Sequence, residues 1–250
     1  MDAVSAYPVR NVPAISPGDA LAPALIEAIR ASGLTIGDGD VIVVCQKAVS
    51  KAEGRVLDLG SIVPSPRAFR FAEEHGKDPR VIEVVLRESR RIVRMERGLI
   101  VSETASGLVC ANAGVDRSNA WRPGHVTLLP LDPDASAQRL LQEFGARSGR
   151  RVAVVITDTF GRPWREGLVD VAIGVAGLRS LIDLRGQPDL TGRPLEVSVI
   201  ALADQVAALA GMVMGKSDGI PAALVRGVGE WLGPGSAAAL VRPADRDLFR

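Results

Sequence analysis

The chain predicts an α/β protein with α+β-like mixed sheets. Short β-branched runs alternate with stretches of helical periodicity along all 250 residues, the pattern of layered sheets and helices. One of those runs, Val152-Ala153-Val154-Val155-Ile156, lacks polar alternation and therefore reads as a central strand buried on both faces. Between residues 91 and 115 the periodicity shortens. Ile92-Val93, Leu99-Ile100-Val101 and Leu108-Val109-Cys110 are separated by turns at Gly98 and Gly107, which predicts an antiparallel or mixed sheet.

The elements follow in order. Residues 4–9 predict a short first strand. Asp19 is placed to cap a helix over residues 20–32, which Gly33 ends,. The turn Gly37-Asp38-Gly39 leads into a strand over residues 41–45,. Ser65-Pro66 and Asp78-Pro79 each open a helix in the favoured cap-then-proline order, the first closed by Gly76,. Asp134 is placed to cap a helix running to about Arg147. After the buried strand at Val152 come a strand over residues 195–201, a helix over 202–214 and a last strand over 220–225. No composition break marks a linker.

Composition narrows the function classes. Thirty basic residues nearly balance twenty-nine acidic ones, so bulk charge gives no support for nucleic-acid or polybasic membrane binding. The apolar fraction of 47% predicts a folded chain,. No apolar run reaches spanning length, and the longest, residues 168–178, is interrupted by Asp170,. Asp2 and the absence of an apolar leader predict no secretory signal,. Cys45 and Cys110 are the only cysteines, too few for a disulfide framework, and they point to buried small side chains in a reducing cytoplasm. The two histidines, His75 at a helix end and His125 after a turn, read as structural. Trp121, Trp164 and Trp231 read as packing. Chemistry must rest on Asp, Thr, Lys and Arg.

Thr157-Asp158-Thr159-Phe160-Gly161-Arg162 directly follows the buried run. Open sheets bind ligands beyond the carboxyl ends of their strands. A carboxylate beside a hydroxyl there suits magnesium or manganese; the competing reading is a turn cap. Arg162 and Arg165 could clamp a phosphate or carboxylate, or pair with nearby acids. Asn112 to Asn119 forms a second cluster, with Asp116 as a metal ligand or as part of an Asx-rich loop. Gln46, Lys47, Lys51 and Arg55 follow a third strand, where lysines can neutralise phosphate or simply stay solvated. Gly215-Lys216-Ser217 matches a permissive phosphate-loop pattern, but a helix precedes it and Pro221 follows. That order is the reverse of a phosphate loop, so the segment reads as a flexible loop able to touch a nucleotide.

Five ordered blocks resemble the coenzyme F420-0:γ-glutamyl ligase family. They are Val41 to Val44 with Lys47 and Val49 to Arg55; Asn112 to Asp116 with Ser118-Asn119; Leu131 to Asp134; Ile156 to Thr159 with Gly161-Arg162; and Asp218 to Pro221 with Val225 to Gly227. The resemblance runs from about Val9 to Gly227. It implies the two-lobed fold of that family, neither a phosphate-loop nor a Rossmann fold, with one lobe from about residues 1–90 and 180–250 and the other from about 91–179. It implies GTP-dependent addition of L-glutamate to F420-0, magnesium or manganese, potassium, and a homodimer with nucleotide sites near the subunit interface. No C-terminal flavin domain is expected, because the chain stops at Arg250.

By the family pattern, Asp116, Asp158 and Thr159 hold metal. GTP contacts fall on Val12, Pro13, Ala14, Ile15, Gln46, Lys51 and Asn119, and along Met214, Gly215, Lys216, Ser217, Asp218, Gly219 and Ile220. Lys216 stands where an acidic residue is familiar, which leaves a second-metal ligand unassigned there and offers a direct phosphate contact. In the implied reaction GTP phosphorylates the acceptor carboxylate and glutamate displaces phosphate. Asp158 then acts through the metal, and Lys51 with Arg162 or Arg165 stabilises developing charge. The competing functions are a ligase of the same architecture for another carboxylate acceptor, and a non-enzymatic nucleotide-binding regulatory dimer.

Overall fold

The computed structural model describes residues 3–248. Asp2 and Arg250, on which the terminal readings rest, lie outside the described residues. The chain runs β1 (Ser5–Val9), α1 (Leu21–Ala31), β2 (Val41–Cys45), α2 (Gln46–Ala52), β3 (Val56–Asp58), α3 (Pro66–His75) and α4 (Pro79–Glu88). It continues through β4 (Ser89–Glu96), β5 (Leu99–Thr104), β6 (Val109–Ala111), β7 (His125–Thr127) and α5 (Pro133–Ser148). The last third holds β8 (Ala153–Arg162), β9 (Arg165–Ala176), β10 (Ile182–Asp183), β11 (Val199–Ile200), α6 (Leu202–Met214) and β12 (Ala222–Arg226).

A five-stranded sheet in the order β1-β12-β2-β8-β9 forms the centre. β2 and β8 run parallel, with Val44 opposite Ile156, and the other neighbours are antiparallel. Both faces are covered. Ile42, Val44, Val154, Ile156 and Leu224 share a core with Leu25 and Ile29 of α1 and Phe144 of α5. Val41, Val43, Val155 and Val225 share the other with Leu202, Val206 and Ala210 of α6. Alternate side chains thus enter opposite cores, which turns a period-two strand into the continuous apolar run seen in sequence. Each large apolar side chain withdrawn from water contributes about 2 kcal/mol.

A second layer is built from α3 and α4 on the sheet β4-β5-β6, where Phe71, Ile82 and Val85 pack with Ile100. The lobe boundaries expected near residues 91 and 179 cut across this arrangement. β8 hydrogen-bonds to β2 in the central sheet, and α3 and α4 share a core with β4 and β5. No helix among the described residues is long and apolar enough to cross a membrane.

Several elements differ from expectation. Asp19 does not cap α1; its carboxylate accepts from the Ser16 N–H at 2.7 Å instead. α5 is capped by Asp132, which accepts from Ala135 N–H at 2.9 Å, with Pro133 in the first turn. Asp134 instead accepts from the N–H groups of Val175 at 2.8 Å and Ala237 at 2.7 Å. Helix and sheet approach so closely there that a Cβ on Gly174 would collide with the Pro133 carbonyl.

The strand expected at residues 195–201 is reduced to Val199–Ile200. His125 opens the unanticipated strand β7, which pairs with β3. The polar stretch after Ile156 is not a loop: β8 continues through it to Arg162, paired throughout with β9 as a two-stranded ribbon. The continuous apolar run ends at Ile156 as the ribbon begins to leave the core, with Thr157 still buried and Phe160 still packed against it. Backbone pairing does not end there.

Candidate active site at one end of the central sheet

Register brings several segments to one end of this sheet. Val9 lies opposite Ala222, Ala222 opposite Val44, and Cys45 opposite Thr157. The loop after β1, the helix α2, the outgoing part of β8 and the loop before β12 therefore all meet there. Two backbone hydrogen bonds fix the meeting: Cys45 N–H to the Pro221 carbonyl at 2.8 Å, and Gly18 N–H to the Ala52 carbonyl at 2.9 Å. α2 is a helix that the sequence reading leaves out, although Gln46, Lys47, Ala48, Lys51 and Ala52 are all good helix formers,.

The loop after β6 joins this group from the second layer. Asn112, Ala113 and Gly114 all have left-handed backbone, with φ of 52°, 51° and 70°. This conformation is costly for Ala113. The turn delivers Asp116, whose backbone exchanges hydrogen bonds with Thr127 at 3.0 and 2.8 Å. Lys47 then reaches across from α2, its Nζ 2.8 Å from Asp116 Oδ2 and 2.6 Å from Ser118 Oγ. The Ser118 N–H donates to Asp116 Oδ1 at 2.6 Å. Burial alone would raise the Asp116 carboxyl, but Lys47 and Ser118 outweigh it and hold the group below the usual carboxylate range,.

Asp158 is treated in the opposite way. It has no ion-pair partner among the described residues. Burial pushes its carboxyl up to about 6, and the charge of Asp116 adds to the shift. The Thr159 N–H and the charges of Lys216 and Lys47 offset only part of it. Two carboxylates thus stand within electrostatic reach, one neutralised by a lysine and one not. Lys51, further along α2, is drawn down from the usual lysine range by its own burial, with the Lys47 charge acting in the same direction. The Cys45 and Cys110 thiols are both raised by burial, Cys110 to about 12. They are inert neighbours of Asp158.

The other face of β8 carries a second polar group. Thr159 lies opposite Asp170 of β9, and its hydroxyl donates to Asp170 Oδ1. Lys216, just past the end of α6, donates from Nζ to the same Thr159 oxygen. Asp170 is legible in sequence only as a charge interrupting an apolar run.

The remaining expected residues are placed as follows. Val12 is half-buried against the α1 core and Ile15 is buried, while Pro13 and Ala14 are exposed. Gln46 is 1% exposed, and its amide donates to Ser50 Oγ at 2.8 Å and the Leu128 carbonyl at 2.9 Å. Asn119 is exposed, with φ of 50°. Met214 is buried at the end of α6, and Gly215 and Gly219 turn the loop with positive φ. The Asp218 side chain folds back over Gly215, Ser217 is exposed, and Ile220 packs on the α6 core. Arg162 is not brought to the carboxylates. Four residues beyond Asp158 on an extended strand is ~13 Å, and its guanidinium donates to the Glu166 carbonyl within its own hairpin.

The donor set around Asp158 consists of hard oxygens. No group of three or more His, Cys, Asp and Glu side chains suited to a metal occurs among the described residues. Magnesium and manganese do not require one, since they are commonly held by one or two carboxylates with phosphate and water oxygens completing the shell. Asp116 and Asp158 fit that mode, whereas the Thr159 hydroxyl is turned to the other face of β8 with Asp170 and Lys216,. The unpaired Asp158 carboxylate is the feature that favours a cation.

Residues 10–227 match the profile of the family described as F420-0:Gamma-glutamyl ligase. A coenzyme F420:L-glutamate ligase of Methanothermobacter thermautotrophicus is 46% identical over 250 residues, covering 99% of each chain. The Methanopyrus kandleri protein of the same name is 47% identical over 241 residues, 94% of this chain and 93% of its own. That of Archaeoglobus fulgidus is 41% identical over 248 residues, 99% and 96%. The chain belongs to the F420-0:gamma-glutamyl ligase family, and it is a ligase.

Proposed function

We propose that this ligase joins L-glutamate to the coenzyme precursor F420-0 at the expense of GTP, through an acyl phosphate. The reading rests on the names of its relatives and on one observation above the rest: an uncompensated carboxylate, Asp158, beside the lysine-paired Asp116 where the segments after β1 and β2, the outgoing part of β8 and the loop before β12 meet. Amide formation needs a leaving group better than oxide. An oxygen of the acceptor carboxylate attacks the γ-phosphorus of GTP and GDP departs. The amine of glutamate then attacks the acyl carbon, phosphate leaves, and the amine gives up its proton.

Asp116 and Asp158 would hold a magnesium or manganese ion, which supplies charge neutralisation at the phosphates; the Thr159 hydroxyl, on the opposite face of β8, serves Lys216 instead. Lys51, with no carboxylate partner among the described residues, and Lys216, at the mouth of the loop before β12, face the same region as phosphate-binding cations,. Positioning and electrostatics of this kind need no histidine. Arg162 takes no part in this scheme, because its hairpin contact holds it away. A potassium requirement, a cytoplasmic location and a homodimer belong to the same reading. Exposed Leu190, Val197 and Val199 in the excursion between β10 and α6 are suited to an interface with a second copy,.

The test is mass spectrometry of the purified protein incubated with F420-0, L-glutamate, GTP and manganese, beside a GTP-free control. A GTP-dependent gain of one or more glutamyl units is expected. A folded protein that binds GTP but yields no gain would exclude this acceptor.

A further inference from the structure

We infer that Asp170 is a positioning residue, which aims the Thr159 oxygen and the Lys216 ammonium at the phosphate-binding end of the site; this rests on the GTP-dependent reading above. Three contacts carry it. β8–β9 register sets Asp170 directly across from Thr159, and the Thr159 hydroxyl donates to Asp170 Oδ1. Lys216 Nζ donates to that same hydroxyl oxygen. The second carboxylate oxygen of Asp170 faces α6 at Gly211, where a Cβ would collide with it.

A carboxylate accepts and a lysine ammonium only donates, so the direction of the chain is fixed. With its proton committed to Asp170, Thr159 presents lone pairs towards Lys216 and the site, as an acceptor for cations. Thr159 also follows Asp158 in β8. Lys216 sits on a loop that begins with Gly215 at φ of 63° and has no ion pair of its own among the described residues. Without the Asp170–Thr159 bond the hydroxyl rotates freely and the ammonium loses its fixed seat. Gly211 belongs to the same device. In an exposed helix interior, alanine would be preferred to glycine by about 1 kcal/mol, but here glycine leaves room for the carboxylate.

The test uses binding and turnover together. Dissociation of a fluorescent GTP analogue is measured by titration in manganese, with steady-state kcat and KM, for the unaltered protein, Asp170→Ala, Asp170→Asn, Lys216→Met and Gly211→Ala. Loss of an outer partner of this kind typically weakens a site about 10- to 100-fold. Asp170→Ala is therefore expected to raise the analogue Kd and KM for GTP by about tenfold, with a smaller change in kcat. Asp170→Asn, which keeps an acceptor oxygen, recovers most of the loss. Gly211→Ala mimics Asp170→Ala with its carboxylate still present, and Asp170→Ala has a smaller effect in a Lys216→Met background than in the unaltered protein. Unchanged nucleotide affinity in a folded Asp170→Ala protein, or full additivity with Lys216→Met, overturns the positioning role. Failure of the unaltered protein to bind the analogue refutes the GTP reading itself.

Discussion

The two ends of the central sheet each hold a carboxylate in a poorly solvated place, and the protein treats them differently. At the far end Asp40 is 4% exposed, accepts from Gly37 N–H at 2.8 Å and is paired with Arg226 at 3.1 Å. Arg226 also donates to the Thr35 carbonyl and lies over the Tyr7 ring. At the other end Asp158 has a raised pKa and no counterion among the described residues. Burying a charge unpaired is costly. The molecule avoids that cost where only the fold is at stake, and tolerates it where an incoming cation can supply the missing charge. Asp116 lies between these extremes, held ready by Lys47.

The comparison can be broken from either side. The largest expected effect is on turnover. Asp158→Asn should lower kcat/KM by about a thousandfold, because several kcal/mol of charge stabilisation depends on it, with circular dichroism unchanged. Next is Arg226→Ala, which strands Asp40. Urea unfolding should show a loss of about 3 kcal/mol, the lower end of the range for a buried pair because Arg226 reaches solvent.

Asp158→Asn should also stabilise the metal-free protein, depending on pH. The folded pKa of Asp158, about 6, lies above the ordinary value of 3.8. Its favourable contribution is therefore complete below about pH 4 and lost as pH rises through about 6. Asparagine, which never ionises, should match the unaltered protein at pH 4 and exceed it by about 2–3 kcal/mol at pH 8; a thermal midpoint series measures this. The smallest effect is expected for Lys47→Ala. Its half-exposed pair with Asp116 is worth about 1 kcal/mol, read as a modest drop in unfolding free energy that salt diminishes.

What sequence conveys here, and what it does not, has a physical pattern. β2 and α6 have the predicted bounds because both are buried with clean periodicity. Ser65-Pro66 and Asp78-Pro79 start helices as expected, since capping is local chemistry,. The cap of α5 falls on Asp132 rather than Asp134, because several carboxylates compete at that helix start. Only packing shows that Asp134 reaches back to β9.

Asp116, Asp158 and Lys216 are recognisable as candidates from residue type and block order. The Lys47–Asp116 pair is not, because it joins residues far apart in sequence through tertiary structure alone. The role of Asp170 is hidden for the same reason, although a carboxylate inside an apolar strand must find a partner or leave the core, and so signals a specific contact. Arg162 is well placed only if the stretch after Ile156 is a loop. An extended ribbon carries it away from the site.

The central claim is that Asp158 is left uncompensated for a cation. Calorimetric titration of manganese into the protein, in buffers of different ionisation enthalpy, counts the protons that binding releases. With a carboxyl at about 6, about half a proton should be released at pH 6 and almost none at pH 8, while Asp158→Asn should release none and bind weakly. Equal release at both pH values, or tight manganese binding by Asp158→Asn, would contradict the account.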